Sequence, residues 1–522
     1  MRPARCVVIG LDSADFDLIG RSADAGLMPA FDGLRRRAAW GRIVNPLGFE
    51  AGSAWATWAT GVGPEMHGQY DAWFKFDTDT YQRTQLSPAE IPCRTLWQRA
   101  GAAGRRVCMI DYPYAFHEPD LNGIQVADWY THVRTMPQGL ITTPPELAAS
   151  IAAEFGTNPL VHEDPCPSNY ADLSTAAAIA VFRDRLLQRI AAKTAFSERL
   201  LREADADLFI TVFHEPHDVG HMCWHLHDPA HERHDPAIAA AVGDPVQAVH
   251  VAIDAAVGRL LAAVRDDDTV LVHISHGMGT ERTASNFLTD ILEAIDDAYR
   301  GPPPPTRLDR LRSVWRAVVP RAVRDAINRR RFAKAAYVRN EDSRVRARAF
   351  FELTPNQATG GIRFNVVGRE RNGVVLPGAA YRALRDRLAA DLKAIENLDT
   401  GRPLIDDVLV VDDLYAGPRR DALPDLLLEW NKSGPIARVR SPLFGTLVNR
   451  RPRHRTGDHV NKEGIFFAVG PGIAPGRRNA PVSAKDFAPT LCRRLGLPGD
   501  GFEGVAIPEL AVIAERHERA AG

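Results

Sequence analysis

Seven histidines fall in one short stretch: His214, His217, His221, His225, His227, His231 and His234. The whole chain of 522 residues has 17, so random composition does not place them there. Imidazole is the commonest metal ligand, and it is largely neutral near pH 7. His217 and His221 stand four apart. On a helix they face the same way and can hold one ion. They follow the apolar run Leu208–Phe213, which is short enough for a buried strand. The carboxyl end of a strand is where an open α/β sheet puts its active site. These residues point to a metal site, and to an enzyme.

Four more segments place reactive side chains just after apolar runs or at helix starts. The run Val7–Leu11 ends in Asp12, a carboxylate that alone could be a helix cap. Gly52-Ser53 opens an apolar stretch with Thr57 one turn on, continuing through Thr60-Gly61 to His67-Gly68. A hydroxyl at a helix start lies beside free N–H groups and the positive end of the dipole, which suits phosphate and also suits a plain N-cap. His273-Ile274-Ser275-His276-Gly277-Met278 follows the run Thr269–Val272. Gly457-Asp458-His459 precedes the run Gly464–Val469 and Gly470-Pro471-Gly472.

In this order, the segments resemble the alkaline phosphatase superfamily, most closely its type I phosphodiesterase/nucleotide pyrophosphatase branch. Asp486–Pro498 also looks like that family's closing helix. The resemblance implies an α/β fold, a large, mostly parallel sheet sandwiched by helices with insertions. It implies two metal ions, usually zinc, that flank a Ser or Thr nucleophile and drive in-line displacement at phosphorus. Carried over, the first ion takes His221, His459 and His217, which stands where the family has Asp. The second takes Asp12 and His276, with Ser275 where the family has Asp. The family's nucleophile position falls at Ala51; the nearest hydroxyls are Ser53, which we prefer, and Thr57.

Losing two carboxylates weakens the second position more than the first. Three histidines with an open fourth position make a recognised catalytic zinc arrangement. The expectation is one firm zinc and a second ion that is weak, exchangeable or absent, with manganese a possible substitute. The expected activity is metal-dependent hydrolysis of phosphoric esters, diesters or pyrophosphate-linked compounds rather than simple monoesters, with water or Ser53 attacking. The partner is then a small-molecule phosphoester. Alternatives are a catalytically silent metal- or ligand-binding relative, and a phosphotransferase or mutase of the same superfamily. A sulfatase is disfavoured, because Cys166-Pro167-Ser168-Asn169 does not supply the Cys/Ser-x-Pro-x-Arg site.

Other residues have weaker claims. Arg363 and Arg369, in Gly360–Arg369, could hold a phosphate bidentately or form salt bridges. Glu215 could orient a ligand imidazole, and Asp458 could ligate metal or orient His459. Cys223 could be a ligand or fill the helix's inner face, Asn286 could face substrate or cap a loop, and His225 and His227 could support the ligands or be exposed polar residues of the helix. Trp55, Trp58, Trp73 and Trp129 could stack on a substrate or fill the core.

The elements that position these residues alternate between strand and helix. Strands are expected at Cys6–Leu11, Arg106–Ile110, Leu208–Phe213, Thr269–Ile274, Asp407–Val411 and Gly464–Val469, and helices at Thr175–Arg202 and Pro245–Arg265. The core is assigned to residues 1–300 and 349–522, with 112–174 as an insertion. Residues 301–348 read as an Arg-rich helical insertion, either lying over the core or forming a basic lid. A net charge of -1 gives no reason to expect a nucleic-acid duplex as partner. No window holds the roughly 20 apolar residues of a membrane span. The six cysteines are scattered without a CxxC pair, which suggests reduced thiols and a cytoplasmic protein. Oligomeric state is left open.

Overall fold

The structure is a computed structural model. It describes residues 5–71, 74–86, 90–113, 115–131, 139–160, 173–301, 315, 318–319, 338–340, 345–356, 358–450, 455–460 and 462–511. At its centre is the strand Cys6–Leu11, buried at every position. It pairs in parallel with Leu208–Phe213 on one side and Thr269–Ile274 on the other. Beyond Leu208–Phe213 come Val107–Ile110 and Gly123–Ala127, both parallel, then Ile141–Thr143, antiparallel. Beyond Thr269–Ile274 lies Gly464–Val469, antiparallel, and then Ala39–Val44. With the short edge pieces the sheet has ten strands.

Side-chain alternation divides the core in two. Val7, Ile9 and Leu11 face a cluster that includes Leu186, Ile190, Val249 and Ile253, from the helices Ala176–Glu203 and Pro245–Ala263. Cys6 and Val8 face the opposite cluster, with Trp55, Trp58 and Leu491. A strand covered on both faces is written as one continuous apolar run, which makes these strands plain in the sequence.

A separate antiparallel sheet of four strands holds Phe350–Glu352, Thr359–Phe364, Leu426–Trp430 and Ile405–Val410. It carries its own apolar cluster, including Phe350, Ile362, Leu428 and Trp430. The strand expected at Asp407–Val411 belongs here, not to the parallel sheet, and Val411 already begins a short helix. The stretch expected to be an insertion, 112–174, instead supplies Gly123–Ala127 and Ile141–Thr143 to one edge of the central sheet. Those strands are short and partly exposed, so they lack the apolar run that marks the inner ones.

The Arg-rich segment 301–348 lies mostly outside the described residues. Within it, Val338–Asn340 pairs antiparallel with Gln82–Thr84. The span Pro236–Ala263 is apolar and long enough by composition to cross a membrane, unlike the expectation that no window would be. It is broken at Gly243 into two helices. The second buries Asp254, whose carboxylate accepts from the Ala30 and Phe31 amides at 3.1 and 2.9 Å.

Candidate active site

Register brings the chemistry together. Leu11 is aligned with Phe213 on one neighbour and Ile274 on the other. Asp12, His214 and Ser275 are therefore the next residues on three adjacent strands, at the carboxyl edge. The helix Glu215–His227 starts directly after His214 and is buried from Glu215 to Leu226.

His217, His221 and His459 converge. One ring nitrogen of each lies within 4.8 Å of the others. Ring centroids are 4.4 Å apart for His217 and His221, 5.0 Å for His217 and His459, and 4.7 Å for His221 and His459. Nε2 of His221 lies 3.2 Å from Nε2 of His459. His221 donates from Nδ1 to the Gly457 carbonyl at 2.7 Å, which leaves the Nε2 lone pair facing His459. A carbonyl fixing the far nitrogen of a ligand imidazole is the usual outer support of a metal site.

The His459 segment docks tightly on the histidine helix. A Cβ at Gly457 would meet the Gly220 carbonyl at 2.3 Å and Trp224 Cβ at 2.9 Å, so only glycine allows the approach. The Thr456 amide donates to the His221 carbonyl at 2.7 Å, and its Oγ1 accepts from the His225 amide at 3.4 Å. Thr456 thus stands in for one helical hydrogen bond and ties the two segments together.

Burial favours the neutral, metal-binding form of two of the three imidazoles. It pushes the His221 and His459 imidazoles well below their ordinary range, with the other cationic groups of the pocket adding to the effect. His276, whose ring is 4.4 Å from that of His459, is pushed down to about 4 by burial. Its Nδ1 is buried with no hydrogen-bond partner among the described residues. Asp458 is fully buried and pushed up to about 6 by burial. Its Oδ1 accepts from the His459 amide at 2.9 Å. Converging imidazoles with one nitrogen anchored fit a divalent ion of zinc type.

The Asp12 side is different. Asp12 Oδ1 accepts from Trp55 Nε1 at 3.0 Å and from the hydroxyls of Ser13 and Ser275, each at 3.4 Å. Its Oδ2 lies 3.3 Å from His214 Nδ1, while His214 Nε2 donates to the Asp111 carbonyl at 2.8 Å. Ser13 bridges the halves, with its Oγ 3.4 Å from His459 Nδ1. It does so from a left-handed backbone, φ 58, a conformation uncommon for a non-glycine residue.

The proposed nucleophiles are engaged elsewhere. Ser53 caps the helix Ala54–Thr60 only in position, and its Oγ donates to the Gln69 carbonyl. Thr57 Oγ1 lies 3.2 Å from His67 Nε2. Both hydroxyls are fully buried. Gly52 is forced by crowding, since a Cβ there would meet the Tyr70 carbonyl at 2.5 Å. Arg363 and Arg369 are taken up in the second sheet. Arg363 pairs with Glu370 at 2.7 Å, and Arg369 grips Asp425 with two bonds of 2.7 Å. Trp55 and Trp58 pack against His273 in the core. Asn286 bonds Asn449, Cys223 is buried, and Trp73 lies outside the described residues.

Several residues escaped the sequence reading. Arg189 and Lys193 sit one turn apart on the helix Ala176–Glu203, both fully buried. Arg189 bonds Glu215 and Asp218, each at 2.9 Å, and the Tyr130 carbonyl. Lys193 bonds Asp111 at 2.8 Å and the Val212 carbonyl at 2.7 Å. Arg189 holds the first turn of the histidine helix from behind, while Lys193 ties Asp111 to the end of the strand Leu208–Phe213. Two cations in the apolar stripe of a helix were the signal for them. Arg455 is another: its Nη1 lies 3.3 Å from His221 Nε2.

The model of one family, type I phosphodiesterase/nucleotide pyrophosphatase, matches residues 6–400. The chain belongs to that family. It is a phosphohydrolase of the alkaline phosphatase superfamily. Among solved structures it is similar to phosphonoacetate hydrolase from Sinorhizobium meliloti 1021 in complex with phosphonoformate. The identity is 15%, the TM-score 0.52, and 95% of this chain and 96% of that one are covered. The same enzyme in complex with phosphonoacetate matches at 16% identity with the same TM-score and coverage. Murine ectonucleotide pyrophosphatase/phosphodiesterase 5 is 13% identical, with a TM-score of 0.49 and 96% and 97% covered. No curated protein matches the chain. The likeness to phosphonoacetate hydrolase carries the fold: a large, mostly parallel sheet between helices.

Proposed function

We propose that this protein is a zinc-dependent hydrolase of phosphate diesters or pyrophosphate-linked small molecules, built around one firmly held ion. The observation that carries this reading is the convergence of His217, His221 and His459 within 4.8 Å. An ion held there by His217, His221 and His459 would supply Lewis acidity toward a phosphoryl oxygen or a water.

The chain's own residues do the rest. His221 is aimed by the Gly457 carbonyl, and His459 is set by the docked Thr456–Asp458 segment. His276, its ring beside that of His459 and its Nδ1 without a hydrogen-bond partner among the described residues, is the side chain placed to accept a proton from an attacking water. Ser53 and Thr57 are bound to Gln69 and His67, so water is favoured over either hydroxyl. The scattered cysteines, four of them buried among the described residues, accord with a reducing, cytoplasmic setting.

The test is turnover by purified protein of bis-nitrophenyl phosphate, nitrophenyl phosphate and nucleotide sugars, with zinc or manganese. Diester or pyrophosphate turnover that stops on chelation and returns with zinc is the expected result. Tight zinc with no turnover of any phosphoryl compound would leave the silent-relative reading standing instead.

A further inference from the structure

Resting on the proposed phosphoryl chemistry, we propose that Arg455 is a substrate-binding residue that takes a non-bridging phosphoryl oxygen beside the histidine triad. Its Nη1 is 3.3 Å from His221 Nε2, the nitrogen left facing the ion position. Its Nε is buried with no hydrogen-bond partner among the described residues. A guanidinium stays charged at any working pH. The groups it couples to are His221, His459 and Asp458, whose Oδ1 accepts from the His459 amide.

Charge makes the case. Imidazole ligands bring no negative charge of their own, so three of them leave a divalent ion its full charge. A guanidinium beside that ion is repelled unless an anion lies between them. A phosphoryl group fits this gap, with one oxygen toward the ion and another on the planar N–H fork. The position is also rigid. The Glu281 amide donates to the Thr456 carbonyl at 3.0 Å, and Arg233 donates to the Arg455 carbonyl at 3.3 Å.

The test is calorimetric titration of zinc-loaded, full-length protein with inorganic phosphate, comparing wild type with Arg455→Gln and Arg455→Lys. Arg455→Gln is expected to bind phosphate roughly tenfold or more weakly, the loss of one charge-assisted hydrogen bond. Arg455→Lys should fall between, with zinc content and melting temperature unchanged in both. Equal phosphate affinity in wild type and Arg455→Gln overturns the proposal. So does loss of zinc from Arg455→Gln, which would make the residue a support for the triad. If wild type binds phosphate through Arg455 yet hydrolyses nothing, the hydrolase reading fails and the oxyanion site stands.

Discussion

The two halves of this site sit side by side on one sheet edge and solve opposite problems. In the triad half, the chain fixes the far nitrogen of His221 on the Gly457 carbonyl and sets Ser13 Oγ beside Nδ1 of His459. Its lone pairs meet in a small volume, where an ion can satisfy them. In the Asp12 half, Trp55, Ser13 and Ser275 supply hydrogen bonds that the carboxylate would otherwise exchange for a cation. The same frame therefore holds one position open to metal and one closed by its own side chains. The resemblance read from the sequence implies Asp at both the His217 and the Ser275 positions. The lesson is that losing a carboxylate has opposite effects according to what replaces it. Histidine remains a ligand, whereas serine becomes a donor to the remaining acid.

Removing a donor from the open half is the strongest way to break this contrast. His459→Ala should drop zinc content from one per chain toward zero and reduce turnover by about 1,000-fold or more, as loss of Lewis-acid stabilisation worth several kcal/mol requires. Elemental analysis alongside kinetics checks it; an unchanged zinc content would mean the ion lies elsewhere.

Next in size is the support behind the triad. Arg189→Met leaves Glu215 and Asp218 as buried acids without their cation, and a broken buried pair of this kind costs about 3–5 kcal/mol. Denaturant unfolding should show that loss. A change below about 1 kcal/mol would show the network to be dispensable.

A sharper probe adds what the closed half lacks. Ser275→Asp restores a second carboxylate beside Asp12 and should raise bound metal from one ion per chain to two. If stoichiometry stays at one, Trp55 and His214, and not the missing acid, are what close that half.

Acid gives a smaller, graded effect. Burial pushes His273 down to about 3 and His250 to about 4. Both are neutral in the folded and unfolded chain above the ordinary histidine value. As pH falls below about 6.5, the unfolded chain takes up protons that the folded one refuses, so stability declines with falling pH until about 4. Urea midpoints measured from pH 8 to pH 4 should be flat above about 7 and fall below it. The smallest effect is Trp55→Phe, which removes one donor to Asp12 and should cost about 1–2 kcal/mol in stability with little change in zinc affinity.

Much of this was legible because the inner strands are covered on both faces. Cys6–Leu11, Leu208–Phe213, Thr269–Ile274 and Gly464–Val469 stand where their apolar runs predict. Direction was not legible: Gly464–Val469 runs antiparallel, which a run of apolar residues does not encode. Gly123–Ala127 and Ile141–Thr143, toward one margin of the sheet, are short and partly exposed and read as irregular chain. His217 and His221 follow from helical spacing alone, and His459 only from the family resemblance. Arg455 and His214 have no local pattern. Their roles come from Thr456 docking on His221 and from strand register, both long-range facts.

His221 and His459 are 238 positions apart in the chain. An ion shared between them is a cross-link that spans nearly half the molecule, in the manner of a disulfide closing a very long loop. Such a staple removes little extra entropy for each added residue, because closure entropy grows only with the logarithm of loop length. It nevertheless exists only when the ends have met. The whole second sheet, strands Phe350–Glu352 to Leu426–Trp430, lies inside that loop. The ion would be the last knot tied in assembly, and its capture would report that everything between its ligands has already folded.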